Sequence, residues 1–414
     1  VARIVFREAN LLDGRAAPQP HSTVVVEGER IVRVAPGTRL EGQRGDQVVD
    51  LEGATLMPGM FSCHFHATFD DTPLDIFPLG IDKPPGYLAL RAANALRKAL
   101  ACGFTSVVGA GGGDDLDAQL KLAIEDGVIE GPRVTAASRN LGTTAGYIDL
   151  DSWWWRLGNR GACRMANGPE EFRKVVREEI KRGAEMIKVF ATGGHGNVDT
   201  GTSELARDEL RSIVETAHQR GAQVRAHCAW KRAILECVEL GFDVIDHGDE
   251  IDAQCIDAML RAGTFFDPSA LYLQKLLALE ALQAPEYAPL VEATQRELDN
   301  LRHWVPEAHR AGVRIVIGDD YGTALMPHGS YAEELSFYVK VMGVPPLDVL
   351  RWATLNGAEL ARAGDRLGSI EEGKLADLLV VDGDPAVDIS VLEEEASLRG
   401  ILKGGIWVKD LLDA

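Results

Sequence analysis

The chain has 414 residues, with 43 Lys+Arg against 63 Asp+Glu, and therefore a formal net charge of −20. A negative field of that size repels phosphate backbones, which argues against a nucleic-acid partner. Its 46% hydrophobic and 26% charged residues suit a folded protein with a large core, and no run approaches the roughly 18–20 apolar residues of a membrane span.

The first residues, from Val1, lack the long apolar core of a signal peptide, and six Cys without a CxxC pair make no disulfide framework. A cytoplasmic protein is the expectation. Ile4–Leu12, Thr23–Val26 and Arg30–Val34 are short apolar runs around turns such as Asp13-Gly14 and Glu27-Gly28, the pattern of antiparallel strands. From about Gly103 to Asp320 a different unit recurs: an amphipathic helix, a Gly, then a short apolar strand ending in a polar residue. Phe172, Val175, Val176 and Ile180 share one helical face before Gly183 and the strand Met186–Phe190. Comparable helices precede Gln223–His227, Asp243–His247, Thr264–Asp267 and Arg314–Asp319. With Thr55–His66, Thr105–Ala110 and Arg133–Ser138 the strands number eight, as in a (β/α)8 barrel, although an open doubly wound sheet alternates in the same way. Leu375–Val381, Leu398–Leu402 and Gly405–Val408 return to strand patterns without helices. The expected α/β architecture is a (β/α)8 TIM barrel over residues 58–364. A small β-sandwich built from residues 1–57 and 365–414 flanks it.

Functional side chains of such a barrel emerge at the C-terminal ends of its strands. Those ends carry His64-Phe65-His66, Lys188, His227, His247 and Asp319-Asp320. Two His separated by one residue on a strand point the same way, so both rings can reach one ion. One such pair is a weak signal; four further ligand-type residues at successive strand ends make a metal site the better reading. Lys188 lies in Met186–Phe190, a strand expected to be buried on both faces. An unpaired ammonium there costs several kcal/mol, so the alternatives are a Lys that snorkels to the barrel mouth or pairs with an acid, or one carbamylated by CO2. The Gly109–Gly113 run lacks the Lys-Ser/Thr of a phosphate loop, and Cys63 and Cys228 read as small core residues.

At these residues the sequence resembles the amidohydrolase superfamily. The resemblance rests on His64-Phe-His66 after Pro58-Gly59, Lys188, His227, Asp246-His247-Gly248, Gly318-Asp319-Asp320 and the tail Leu367–Asp382. It spans essentially the whole chain and is strongest toward Xaa-Pro dipeptidases, ochratoxin-type amidases and related urea or carbamate hydrolases. It implies two divalent metal ions, with zinc expected, bridged by carbamylated Lys188 and a hydroxide. His64, His66 and Asp320 would hold one ion, and His227 and His247 the second. The family usually has Gly-Thr-Asp where this chain has Gly318-Asp319-Asp320, which makes Asp320 the ligand and base and leaves Asp319 as the weaker alternative.

The implied activity is hydrolysis of a C–N bond in a small amide, peptide-like or N-acyl amino acid, by a metal-activated hydroxide with Asp320 moving the proton. Urea or carbamate hydrolysis of an apolar compound is the alternative, with a deaminase or a non-catalytic scaffold less favoured. Dipeptidase-like members carry Thr-Gly-Gly-His-Gly where this chain has Thr144-Ala145-Gly146-Tyr147-Ile148, so Tyr147 is the expected oxyanion donor. His195, in Gly193-Gly194-His195-Gly196, is a second donor or substrate contact, and His328 a weaker one. Trp154, within Trp153-Trp154-Trp155, is either an aromatic wall of the substrate pocket or a packed loop. Lys231 or Arg232 would serve a substrate carboxylate. A homo-oligomer is expected.

Overall fold

The computed structural model describes residues 3–70, 83–149, 161, 163–195 and 203–412. It divides into two compact units, Val1–Ser62 with Arg97–Ser106 and Gly329–Ala414, and Cys63–Leu96 with Val107–His328.

In the first unit, strands from both chain ends share one sheet, because Leu378–Val381 pairs antiparallel with Thr55–Pro58. Arg3–Leu11 and Gln19–Glu27 pair antiparallel with Ile4 opposite Val26 and Phe6 opposite Val24. Their period-two apolar residues join Leu56, Leu378, Val380 and Leu402 in one buried cluster. The runs expected to be antiparallel at the two chain ends pair so, and two further strands join them in parallel. Gln47–Asp50 and Thr55–Pro58 both run parallel to Arg3–Leu11, and Gln47–Asp50, lying in a polar segment, carries little of the hydrophobic alternation that marks a strand.

The second unit is α/β, with helices alternating with short parallel strands. Its larger sheet runs in the order Cys163–Met165, Ala137–Gly142, Met186–Phe190, Gln223–Cys228, Val244–His247, Phe265–Asp267 and Arg314–Ile315. The helix Pro169–Lys181 shows the local logic. Pro169 starts it where no N–H is needed, Glu170 and Glu171 face the positive helix end, and Phe172, Val175 and Val176 are buried. Gly183 follows at φ +103°, a left-handed backbone that suits glycine.

Two expected strands are interrupted. Thr55–His66 is Thr55–Pro58 followed by Met60–Phe65, with Gly59 between them. A Cβ on Gly59 would lie 2.1 Å from Thr105 Oγ1, so only glycine fits this approach. Arg133–Thr135 and Ala137–Gly142 likewise replace one run. Beyond the short strand Arg314–Ile315, Cys63 N donates to Ile317 O at 2.6 Å and Phe65 bridges to Tyr321 in parallel. No helix among the described residues is long and apolar enough to cross a membrane.

Candidate metal centre

Register decides which side chains meet. Lys188 is paired with Arg225, Phe190 with His227, and His227 with Asp246. In-register neighbours point to the same face, so Lys188 and Arg225 share a face, and Asp246, opposite His227, lies two residues further along that face and reaches back to both cations. His227 lies one step further along its strand. Alternation alone would send His247, directly after Asp246, to the opposite face. His247 instead has φ +71°, and its ring reaches 4.3 Å, centroid to centroid, from His227. Asp320 is also left-handed at φ +40°. Non-glycine residues held in that region store strain and concentrate at functional sites.

The predicted residues converge. His64 Nε2 lies 3.0 Å and His66 Nε2 3.3 Å from Asp320 Oδ1. The rings of His64 and His66 are 5.1 Å apart, and those of His64 and His247 5.2 Å. Gly318 permits this crowding, since a Cβ there would sit 2.1 Å from His64 N. One group of ligand atoms, from His64, His66 and Asp320, lies within 4.8 Å of one another; so does a second, from His195, His247 and Asp320.

The outward ring nitrogens are held. His66 Nδ1 is 2.8 Å from Gly111 O, and His227 Nε2 is 3.0 Å from Gly193 O. Each must donate to its carbonyl, which leaves the opposite nitrogen with a lone pair. His64 Nδ1 contacts Ser269 Oγ at 3.2 Å. Among the described residues, both nitrogens of His247 are buried without a hydrogen-bond partner, and His64 Nε2 has the Asp320 carboxylate beside it. Burial, reinforced by Lys188, lowers the His64 pKa to about 3; burial also holds His227 and His247 well below the usual histidine value. Neutral rings turned inward with unused lone pairs fit divalent cations.

Lys188 is buried, and its Nζ donates to Asp246 Oδ2 at 2.6 Å. Burial pushes its pKa below the ordinary lysine value, opposed by Asp246. Asp246 also accepts from Arg225 Nε and Nη2, while Arg225 Nη1 donates to the carbonyls of Cys63 and Gly109. Burial disfavours the Asp246 carboxylate, but Arg225 and Lys188 hold it below the usual range. Asp320 behaves alike: burial raises its pKa, and the adjacent His64 and His66 outweigh it. Asp319 points elsewhere, accepting from Tyr272 N at 3.0 Å. Of the two adjacent carboxylates, Asp320 is the one placed against His64 and His66.

A cleft of about 660 Å³ opens over these groups, lined among the described residues by His66, Tyr147, Lys188, His195, His227 and Asp320. Gly194, and beyond it Phe69, Asn140, Phe190, Tyr272, Leu276 and Thr323, complete it. No motif marked these last six; only their spacing from recognised strand ends was available. Tyr147 stacks parallel to His227 at 6.4 Å, and its backbone N–H donates to Glu204. Burial and the nearby Asp320 raise its hydroxyl pKa, keeping it a donor. His195 Nδ1 lies 2.8 Å from Asp249 Oδ2; burial lowers its pKa, but Asp249 overrides this and raises it to about 9. His328 does not line the cleft: its Nε2 faces Phe69 O at 3.0 Å and its ring packs on Phe65. Lys231 is taken by Asp252 at 2.5 Å. Trp154 and its neighbours lie outside the described residues.

The pattern of the amidohydrolase family matches residues 55–408. The chain belongs to the amidohydrolase family. This amidohydrolase is an enzyme of C–N bond hydrolysis, with His/Asp groups suited to metal ions. It is 28% identical over 371 residues to the ochratoxinase of Aspergillus niger, covering 84% of this chain and 75% of that one. Among solved structures it is similar to a prolidase complexed with N-methylphosphonate-L-proline, at 31% identity and TM-score 0.86, covering 99% of this chain and 100% of that one. A Xaa-Pro dipeptidase with methionine bound in its active site gives 27% identity and TM-score 0.87, with the same coverage.

Proposed function

We propose that this amidohydrolase is a binuclear metal enzyme that cleaves the C–N bond of a small peptide-like or N-acyl amino acid amide. The observation that carries the reading is the convergence of His64, His66, His227, His247 and Asp320 around buried Lys188, with lone pairs of the rings facing inward. His64, His66 and Asp320 hold one ion in this reading, and His227 and His247 contribute to the second. Lys188, carrying a carbamate, lies between them. The buried pocket favours the neutral amine that reacts with CO2, and Arg225 supplies the positive charge that lets an anionic carbamate sit beside Asp246. Zinc is the expected metal, since imidazole and carboxylate donors suit it.

The bound ions supply an acidified water and Lewis-acid polarisation of the scissile carbonyl. Asp320 accepts a proton on its carboxylate and delivers it to the leaving nitrogen. The Tyr147 hydroxyl donates to the carbonyl oxygen as charge develops there; losing one such donor typically costs about 10²–10³ in kcat. Phe69, Phe190, Tyr272 and Leu276 give the cleft apolar walls that orient the substrate and exclude water. The similar prolidase with N-methylphosphonate-L-proline and the similar Xaa-Pro dipeptidase with methionine in its active site favour an amide built on an amino acid.

The same reading closes the parallel strands into an eight-stranded barrel over residues 58–364, with a β-sandwich from residues 1–57 and 365–414. Supporting closure, Cys63 N bonds Ile317 O, and Gly318 permits close approach to His64. The deciding experiment is elemental analysis of protein purified with bicarbonate and Zn²⁺, followed by a panel of dipeptides, N-acyl amino acids, anilides, phenylureas and carbamates ranked by kcat/KM. Near two ions per chain and a preference for amino-acid amides are expected. A metal content near zero overturns the reading, and a preference for phenylureas or carbamates replaces its substrate class.

A further inference from the structure

His195 obeys the same rule as the other histidines of the centre. His66 and His227 each give one ring nitrogen to a backbone carbonyl and turn the other inward. His195 gives Nδ1 to the carboxylate of Asp249 at 2.8 Å. Its side chain is only 7% exposed, and its Nε2 is buried with no hydrogen-bond partner among the described residues. With Nδ1–H donating to Asp249, Nε2 is the nitrogen left to meet a cation, and it presents a lone pair once the cation displaces the proton that Asp249 favours there. Such a lone pair cannot donate to a carbonyl oxygen, but it can bind a cation, and carboxylate–histidine–metal relays are built this way. The ring stands perpendicular to His247 at 4.3 Å between centroids, and His195, His247 and Asp320 bring ligand atoms within 4.8 Å of one another. His64, His66 and Asp320 meet the same distance condition.

In place of a substrate contact, we propose that His195 is an additional ligand of the second ion, shared with His247, and that Asp249 is its positioning residue. The inference rests on the binuclear reading above. It assigns to the loop after Lys188 a part in holding the metal, so that one strand and its following loop contribute both the bridging group and an imidazole. Asp249 follows His247 by two residues, so the turn that swings His247 inward also places the carboxylate that orients His195.

The test compares the full-length wild type, His195→Gln, Asp249→Asn and the surface control His218→Gln. Each is stripped of metal and then titrated with Zn²⁺ or Co²⁺ alone in bicarbonate buffer, against a chromophoric chelator. Wild type and His218→Gln are expected to bind two ions. His195→Gln should weaken one of the two sites at least tenfold and shift the Co²⁺ visible absorption bands. Asp249→Asn, nearly isosteric, should weaken the same site about 10–100-fold. Two ions bound with wild-type affinity and an unchanged Co²⁺ spectrum in both variants would overturn the assignment, and a raised KM beside that result would make His195 a substrate contact. A wild type that binds no metal defeats the binuclear reading itself, a different failure from loss of the His195 effect alone.

Discussion

The interiors of the two units are built on opposite rules. Phe6, Val24, Leu56, Leu378 and Leu402 make the first an apolar cluster, with Trp407 edge-on to Phe6 at 5.8 Å. The second buries Lys188, Arg225, Asp246, Asp267 and Asp319 beside histidines. An apolar interior gains from leaving water whatever its neighbours do. A charged interior holds only while every charge is partnered, and here Arg225 alone serves Asp246, Asp267 and two backbone carbonyls. Stability concentrates in the first arrangement and chemistry in the second.

The largest expected effect separates the adjacent carboxylates. Asp320→Asn should lower kcat by about 10²–10⁴ or more, since it removes the proton carrier, whereas Asp319→Asn should lower it far less; steady-state kinetics decide, and the reverse order reassigns the base. Substitutions then contrast the two interiors. Phe6→Ala should cost about 3–5 kcal/mol in urea unfolding through cavity formation, with Zn²⁺ affinity unchanged. Arg225→Met should cost a similar amount, about 3–5 kcal/mol, because Asp246 keeps only Lys188 and Asp267 loses the guanidinium beside it, and here metal affinity should fall too. Equal metal loss in both variants would erase the contrast.

A smaller effect comes from the ions. At a free Zn²⁺ concentration 100 times Kd, each bound ion should stabilise the protein by about 2.7 kcal/mol, seen as a higher Tm that chelation reverses. A further effect, read through pH, concerns Asp117, whose carboxyl burial pushes up to about 7 against donation from Ala137 N. The unfolded chain releases that proton near the ordinary 3.8. Between those values the folded state binds more protons, so stability falls as pH rises from about 4 to about 7 and stays lower above it. Asp117→Asn should therefore raise Tm at pH 8 and leave it nearly unchanged at pH 4; an equal rise at both would exclude the titration.

Much of this was legible in the chain. His64 and His66 were readable as a pair because alternation is a local property of strands. The helix Pro169–Lys181 was readable because its Pro, acids and apolar face lie within one short segment. Gln47–Asp50 was not, because its pairing with Arg3–Leu11 comes from a partner forty residues away. His328 has the residue type of a site group, yet it packs on Phe65 and faces a backbone carbonyl, and residue type carries no direction. Tyr272, from the helix Ala270–Leu277, and Phe69, from the loop after Met60–Phe65, entered the cleft with no motif at all.

Residue type, order and period by themselves determined the alternation of helix and parallel strand, the family, and the set of groups able to bind cations, because these depend on chemistry and on neighbours a few residues apart. Folding alone decided which of Asp319 and Asp320 faces the histidines, and that a left-handed backbone turns His247 inward against strand alternation. It also set Asp249 behind His195. Those outcomes depend on side-chain direction among segments distant in the chain, which backbone strain and packing set only once the strands are side by side.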